Sequence, residues 1–267
     1  MTAFAPSAVP LVVFTDLDGT LLDHTDYTWT PARPALARLA ALGAVVVLAS
    51  SKTAPEVTPL QREMGLAECP AIVENGAGLI GMAGPVPPAQ YGDLRRALDT
   101  VPAELRALFT GFGDMTDADV VAATGLGATQ AQAARTRAFS EPGLWHGTSE
   151  QQAAFTAHLQ AAGVQARRGG RFLTLSFGKT KADRMAQVIA ALEPAHTLAL
   201  GDAPNDTEML ETADHGIIIA NPHHAALPAL RTEEQGRITR TRDAGPAGWN
   251  DAVLAHLEFL NLSVETG

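Results

Sequence analysis

Cysteine is nearly absent from this sequence, with one, Cys69, in 267 residues. That excludes an internal disulfide framework and suits a reducing compartment, and Cys69 itself reads as a small buried apolar residue. Basic charge is also scarce: 19 Lys+Arg stand against 29 Asp+Glu, a formal net charge of −10. A field of that sign repels nucleic acid and anionic membrane, so neither is expected as a partner. Long apolar runs are missing too. The strongest, Ala44 to Ala49, is far too short to span a bilayer, and the opening MTAFAPSAVP has neither a basic n-region nor a long apolar h-region. The chain is therefore expected to be cytoplasmic. What is present, 46% hydrophobic and 18% charged residues, is the balance of a soluble globular protein with one large domain or two modest ones. There is no internal repeat and no low-complexity tail.

The first part of the chain alternates strand-like and helix-like stretches. Leu11 to Phe14 and Ala44 to Leu48 are short continuous apolar runs, as expected of strands buried on both faces. Between them PARPALARLAALG places Leu36, Leu39 and Ala40 at helical spacing, with Gly43 where a helix would stop. Thr53-Ala-Pro-Glu56 opens a second helix as a capping box, and Ala71 to Val73 is a third short strand. The texture then changes from about Gly84 to Ser176, where Pro85, Pro87 and Pro88 lead into Ala-, Gln- and Arg-rich helical stretches. Within this stretch Thr148-Ser-Glu-Gln151 caps a helix reaching Ala162, and VQARR-GG-RFLTLS predicts a hairpin over Gly169-Gly170. Alternation resumes with a helix carrying Met185, Val188, Ile189 and Leu192, followed by strands at Thr197 to Leu200 and Gly216 to Ile219. The expected fold is α/β: a doubly wound parallel sheet formed by 1–83 and 177–267, interrupted by a smaller inserted α+β domain at 84–176.

Asp16-Leu-Asp18-Gly-Thr20 directly follows the first strand. Ligands of open α/β sheets bind outside the carboxyl ends of the strands, so both carboxylates should project into that crevice. Alone, this motif is as readily a mere solvated turn or surface cation site as a functional pair of carboxylates. Gly201-Asp202-Ala-Pro-Asn205-Asp206 follows another strand and brings two more carboxylates and an amide to the same rim. Four carboxylates in one crevice repel each other, which a cation relieves; an all-oxygen set selects a hard ion, Mg²⁺ being the expectation. Ser50-Ser51-Lys52 follows the second strand, and Lys179 opens the helix after the insertion. Acids, a metal, hydroxyls and a lysine at strand ends suit phosphoryl transfer, with an aspartate available as nucleophile.

DLDGT, SSKT, the lysine at 179 and GDAPND, in that order, resemble the four motifs of the haloacid dehalogenase superfamily of aspartyl-phosphate hydrolases. The insertion between the second and third motifs resembles that superfamily's C2-type cap. Within the group, FTDLDGTLLD, the aromatics of YTW, VVLASSKTAPEV, IVENGAG, AFSEPGLW and GGRF are similar to the mannosyl-3-phosphoglycerate phosphatases. The resemblance implies Asp16 as nucleophile, Asp18 as acid/base, Ser50 as the hydroxyl on the transferring phosphoryl and Lys179 as its cation, with Lys181 a neighbour two residues on. It implies Asp202 as a metal ligand beside Asp16 and the backbone carbonyl of Asp18, with Asn205 and Asp206 in support. Ser51, Lys52, Glu74, Asn75, Arg135, Ser140, Glu141, Arg168 and Arg171 are substrate-contact candidates. The substrate implied is a small phosphosugar, mannosyl-3-phosphoglycerate in the first place, with Mg²⁺ as cofactor and no obligate protein partner. The alternatives are a phosphatase or mutase acting on another phosphosugar and, more remotely, a glycosyltransferase using Asp16 and Asp18 to hold a metal-bound sugar nucleotide.

Other motifs have plainer readings. Gly76-Ala-Gly78-Leu-Ile-Gly81 matches a dinucleotide fingerprint, but MAGPVPP follows where a helix is required. His223-His224 lacks a second ligand pair and reads as a polar loop. Arg167, Arg168 and Arg171 bracket a hairpin and serve equally as a solvated turn or a carboxylate-binding tip. Trp29 and Trp145 read as packing residues.

Overall fold

A computed structural model describes residues 9–82, 90–169 and 171–262. The chain divides into two compact units: the first holds Met1–Ser50, Gln61–Ile72 and Lys181–Gly267, the second Ser51–Leu60 and Val73–Thr180. The divisions thus fall at Ile72/Val73 and Thr180/Lys181, with the short segment Ser51–Leu60 grouped with the second unit. The expected boundary at 83/84, with Pro85, Pro87 and Pro88, lies outside the described residues, as does Gly170.

The first sheet is built from β1 (Val12–Thr15), β2 (Val45–Ala49), β3 (Ala71–Val73), β4 (Gly78–Ile80), β9 (Thr197–Gly201), β10 (His215–Ala220) and β11 (Ile238–Ala244). Their order is β11-β10-β9-β1-β2-β3-β4. The apolar runs become its central strands because β1 is fully buried and β2 and β9 nearly so, and a strand covered on both faces has no place for alternating polar residues. Chain order moves outward from β1 to β2 on one side and from β9 to β10 on the other, so the topological switch lies between β1 and β9. Parallel pairing sets Thr15 against Leu48 of β2 and Leu200 of β9, and Ile218 of β10 against Gly201. This register brings the residues that follow each strand, Asp16, Ser50, Asp202 and Asn221, to one carboxyl-end rim.

The helices of this unit include α1 (Arg33–Ala41), α8 (Lys181–Leu192), α9 (Thr207–Thr212) and α10 (Gly245–Phe259); α2 (Ala54–Glu63) crosses the division. The predicted capping box opens α2, with Glu56 Oε2 accepting from the Thr53 amide and hydroxyl at 2.8 and 2.9 Å. β11 and α10 were not expected from the sequence. The G-x-G-x-x-G segment runs into β4 rather than a helix.

The second unit contains α3 (Tyr91–Asp99), α4 (Ala103–Arg106), β5 (Phe109–Gly111), α5 (Asp117–Thr124), α6 (Ala128–Arg135), β6 (Ser140–Trp145), α7 (Ser149–Ala161), β7 (Gln165–Gly169) and β8 (Phe172–Ser176). Its antiparallel sheet has the order β5-β6-β8-β7, and its core gathers Leu94, Leu98, Phe109, Phe155, Leu159, Leu173 and Leu175. The hairpin strands are present and pair as far as Gly169 opposite Phe172, so Gly169 ends a strand. The capping box at Thr148 and Gln151 opens α7. β5 and β6 carry little strand signal of their own: FTG is short and SEPGLW lacks β-branched residues. Among the described residues no helix is long and apolar enough to cross a membrane.

Candidate active site

Asp16 leaves β1 with its amide bonded to Leu200 O at 2.9 Å, and the residue is 7% exposed. The loop behind it closes on itself: Thr20 and Leu22 amides donate to Leu17 O at 3.1 and 2.8 Å, and Gly19 N–H donates to Leu22 O at 3.0 Å. Gly19 is required at this turn. Its φ is +82°, and a Cβ there would lie 2.3 Å from Asn221 Nδ2. The turn delivers Thr20, whose hydroxyl donates to Asp202 Oδ1 at 2.6 Å.

Asp202 follows β9 and is nearly sealed from solvent. Its Oδ2 accepts from Asn221 Nδ2 at 2.8 Å and meets His224 Nε2 at 2.7 Å. Asp206 folds back over the same turn, with Oδ2 accepting from the Asp202 and Ala203 amides at 3.2 and 3.1 Å. Its other oxygen accepts from Lys181 Nζ at 2.7 Å, and that ammonium also donates to Asp16 Oδ1 at 2.6 Å. Lys181 is the first residue of α8 and only 2% exposed. It therefore joins the carboxylates that follow β1 and β9.

These contacts correct the sequence expectation at the lysine. Lys179 is exposed and lies in the second unit, whereas Lys181 makes both carboxylate contacts. Helix α8 begins at 181, and a first-turn side chain points back over the strand ends.

The electrostatics follow from burial. Asp16 is held well above the usual carboxylate range, chiefly by burial; Lys181 opposes this, and Asp206, Asp202 and Asp18 add to it. Burial alone would lower the Lys181 ammonium, but attraction to Asp16 and Asp206 outweighs it and the group is raised. His224 is raised as well: burial opposes, while bonds to Ala225 O and Asp202 prevail.

Ligand oxygens of Asp16, Asp202 and Asp206 lie within 4.8 Å of one another, so this buried trio fits a divalent cation through hard oxygen donors. The Asp18 carboxylate, expected as a fourth member, is outside that group; Asp18 is half-buried and its backbone bridges to Leu22. Ser50 is buried at the end of β2, its amide bonded to Ile72 O, while Asn205 is exposed.

The remaining candidates belong to the second unit, where several already have structural partners. Glu74 is 2% exposed and accepts from Arg137 Nε at 3.2 Å. It also accepts from the amides of Ala138, Phe139 and Ser140 and from the Ser140 hydroxyl at 2.7 to 3.2 Å. Glu74 and Ser140 are thus a latch within this unit, and Asn75 continues its left-handed turn with φ 58°. Glu141 is buried against Arg95 Nη1 at 3.1 Å and the Gly113 amide at 2.8 Å, and burial raises its carboxyl. Arg135 pairs with Asp117. Ser51 and Lys52 offer their carbonyls to Arg137 Nη2 and the Glu74 amide. Arg168 and Arg171 are exposed, with long contacts of 3.4 Å to Gln152 Oε1 and Thr124 O.

Thr20, Asn221 and His224 were not among the expected site residues; His223-His224 do lie in an exposed loop, and His224 reaches Asp202 from it. The available signal was positional, since Asn221 follows β10 as Asp16 and Asp202 follow their strands. Trp29 and Trp145 pack as expected: Trp29 donates to Glu63 at 2.9 Å under the Arg33 guanidinium, and Trp145 tilts against Phe155. Cys69 is half-buried rather than buried and in no disulfide, its thiol raised by burial.

Comparison with known proteins places this geometry in a wider group. The family described as haloacid dehalogenase-like hydrolase matches residues 13–82 and 153–232. Among solved structures, the sucrose-phosphatase of Synechocystis sp. PCC6803, determined with sucrose and phosphate, is similar at 17% identity and TM-score 0.62, covering 93% of this chain and 98% of that one. The phosphatase BT1666 of Bacteroides thetaiotaomicron is similar at 18% identity and TM-score 0.65, over 98% of this chain and 100% of that one. Protein 0175 of Thermoplasma acidophilum is 17% identical with TM-score 0.64, over 96% and 100%. At these identities the likeness establishes a shared fold.

Proposed function

Since the chain belongs to the haloacid dehalogenase-like hydrolases, with more than half of it matched, we propose that it is a phosphomonoester phosphatase working through an aspartyl phosphate on Asp16. The observation that carries this reading is the ion-paired Asp16–Lys181–Asp206 bridge beside Asp202, at the carboxyl end of the central strand. Asp16 attacks phosphorus and the ester P–O bond breaks. Asp18, the adjacent acid, gives its proton to the departing ester oxygen, the glycerate 3-oxygen in the favoured substrate. It then takes a proton from water, which attacks the phosphorus of the acyl phosphate, releasing phosphate and restoring the Asp16 carboxylate.

Lys181 holds one oxygen of Asp16 and neutralises charge that would otherwise repel an incoming phosphate dianion. Ser50, at the end of β2, is the hydroxyl assigned to the phosphoryl oxygens. Mg²⁺, held by Asp16 and Asp202 with Asp206 in support, supplies charge neutralisation of the phosphoryl group when bound. Asp206, whose two oxygens already serve Lys181 and the 202–203 amides, acts mainly by fixing the others.

For the substrate, we favour a glycosyl-3-phosphoglycerate, mannosyl-3-phosphoglycerate first. The support is textual: FTDLDGTLLD, IVENGAG, AFSEPGLW and GGRF are similar to the phosphatases of that ester. Such a substrate carries a carboxylate in addition to its phosphate, and guanidinium groups bind carboxylates bidentately. Arg168 and Arg171 remain the basic side chains assigned to it, because Arg135 is committed to Asp117.

Phosphate release from a panel of phosphosugars tests this, with p-nitrophenyl phosphate as a substrate lacking the carboxylate. Arg168→Ala or Arg171→Ala is expected to lower kcat/KM for the glycosyl-phosphoglycerate by roughly one to three decades and to spare the aryl ester. Equal loss on both substrates would refute the carboxylate assignment. Preference for another phosphosugar would redirect the substrate while leaving the phosphatase reading intact.

A further inference from the structure

The backbone that carries Asp16 is gripped from below by the C-terminal helix. The Trp249 indole N–H donates to Thr15 Oγ1 at 2.9 Å, and that hydroxyl donates to the carbonyl oxygen of Asp16 at 2.8 Å. Trp249 and Thr15 are both fully buried. The Asp16 peptide is thus fixed on both sides, its N–H by Leu200 O of β9 and its C=O by the Thr15 hydroxyl.

The segment holding Trp249 is built for this contact. Gly248 lets α10 press onto β11, for a Cβ there would lie 1.9 Å from Asp243 O. Asn250, one residue beyond Trp249, accepts the Ala35 amide of α1 at 3.0 Å through Oδ1. Three successive residues therefore seat α10 against β11, β1 and α1. All lie outside the family match at 13–82 and 153–232, so family membership alone does not supply this role.

We propose that Trp249 and Thr15 are positioning residues for the reaction. Because the indole N–H occupies one acceptor site of the Thr15 hydroxyl, the hydroxyl proton is directed to the Asp16 carbonyl. The relay holds the peptide from which the attacking carboxylate projects. The inference rests on Asp16 being the nucleophile. Its consequence is that a residue at the far end of the chain, touching no substrate, controls kcat rather than KM.

The test uses the full-length chain with p-nitrophenyl phosphate and Mg²⁺, and beryllofluoride as an acyl-phosphate mimic, comparing Thr15→Val, Thr15→Ser, Trp249→Phe and the Thr15→Val/Trp249→Phe pair. Thr15→Val keeps the shape and removes the hydroxyl. It is expected to lower kcat by about tenfold with KM within about twofold, since small misplacements of a reacting group cost about this much or more. Beryllofluoride should raise the Tm of Thr15→Val by less than that of the wild type. Thr15→Ser should recover most of kcat, and the double variant should lose no more kcat than Thr15→Val alone, because both act on one chain of hydrogen bonds. Full kcat in Thr15→Val, with only Tm lowered, would overturn the proposal, as would Thr15→Ser being as slow as Thr15→Val. Asp16→Asn separates the two levels: if it still turns over, the nucleophile reading itself fails, whereas an inactive Asp16→Asn beside a fully active Thr15→Val refutes the relay alone.

Discussion

Replacing Lys181 by Met removes the cation joining Asp16 and Asp206 while keeping most of the side-chain volume. In the wild type its ammonium lies 2.6 and 2.7 Å from the two carboxylates, and all three groups are buried. At an effective dielectric constant of about 20, each close pair represents roughly 4 kcal/mol or more of gross attraction. Desolvation of the three ions opposes much of that. Removing one partner from a buried pair nonetheless costs about 3–5 kcal/mol, because the remaining charges stay buried without compensation. Lys181→Met is therefore expected to unfold at lower urea by about that margin at pH 8 and to lose phosphatase turnover.

The pH dependence has a definite sign. The Lys181 ammonium is raised in the folded state, so its contribution is fully present below the unfolded lysine value of about 10.4 and is lost only as pH rises through the folded value. In the variant, Asp16, already held above the usual carboxylate range by burial, loses the cation that opposed this and holds its proton more firmly than in the unfolded chain. The folded state then binds more protons, and its stability declines as pH rises from the carboxylate range. The deficit against wild type should be larger at pH 8 than at pH 5. Lys179→Met is the control, expected within about 0.5 kcal/mol of wild type because Lys179 is exposed. Equal stability of Lys181→Met and wild type at pH 8, or equal damage from Lys179→Met, would refute the reasoning.

Three further outcomes are expected. Glu74→Gln replaces an acceptor of backbone amides with a group that also donates, and should lower the stability of the second unit by about 2–4 kcal/mol, read as faster amide exchange at residues 138–140; unchanged exchange would contradict the latch. His256 is lowered to about 4 by burial first and by His215 and His196 next, with Nε2 buried and lacking a hydrogen-bond partner. The unfolded chain takes up the proton first, so stability should fall as pH drops from about 6.5 to about 4, and His256→Phe should flatten that part of a Tm–pH curve. Excess chelator should abolish phosphate release and Mg²⁺ restore it, with Ca²⁺ a poor substitute because of its looser geometry; turnover in chelator would exclude the metal.

Much of the core was legible because its strands are continuous apolar runs, and two Asp-rich motifs follow two of them directly. The register then explains why Asp16 and Asp202 meet. Lys179 and Lys181 could not be told apart from the sequence, since both sit at the edge of α8 and only the helix start decides which points over the strands. Repulsion among the aspartates pointed to a metal ion, and Lys181 supplies a cation between two of them within the chain. β11 was hidden because ITRTRDA is an exposed edge strand with arginines and an aspartate, and α10 because the breaker-rich GPAG opens it, masking the stripe of Trp249, Val253 and Leu257 that follows. The roles of Glu74 and Glu141 depend on partners far along the chain, which no local pattern displays.

The most direct test of the account is to find where the phosphoryl group resides during turnover. Enzyme mixed with substrate and Mg²⁺, acid-quenched within the first turnover and digested, should yield one phosphorylated peptide, with the group on Asp16 and labile to hydroxylamine as an acyl phosphate. Asp16→Asn should yield none. A phosphoryl group on any other residue, or multiple turnovers by Asp16→Asn, would contradict the claim that the Asp16 carboxylate held by Lys181 is the nucleophile.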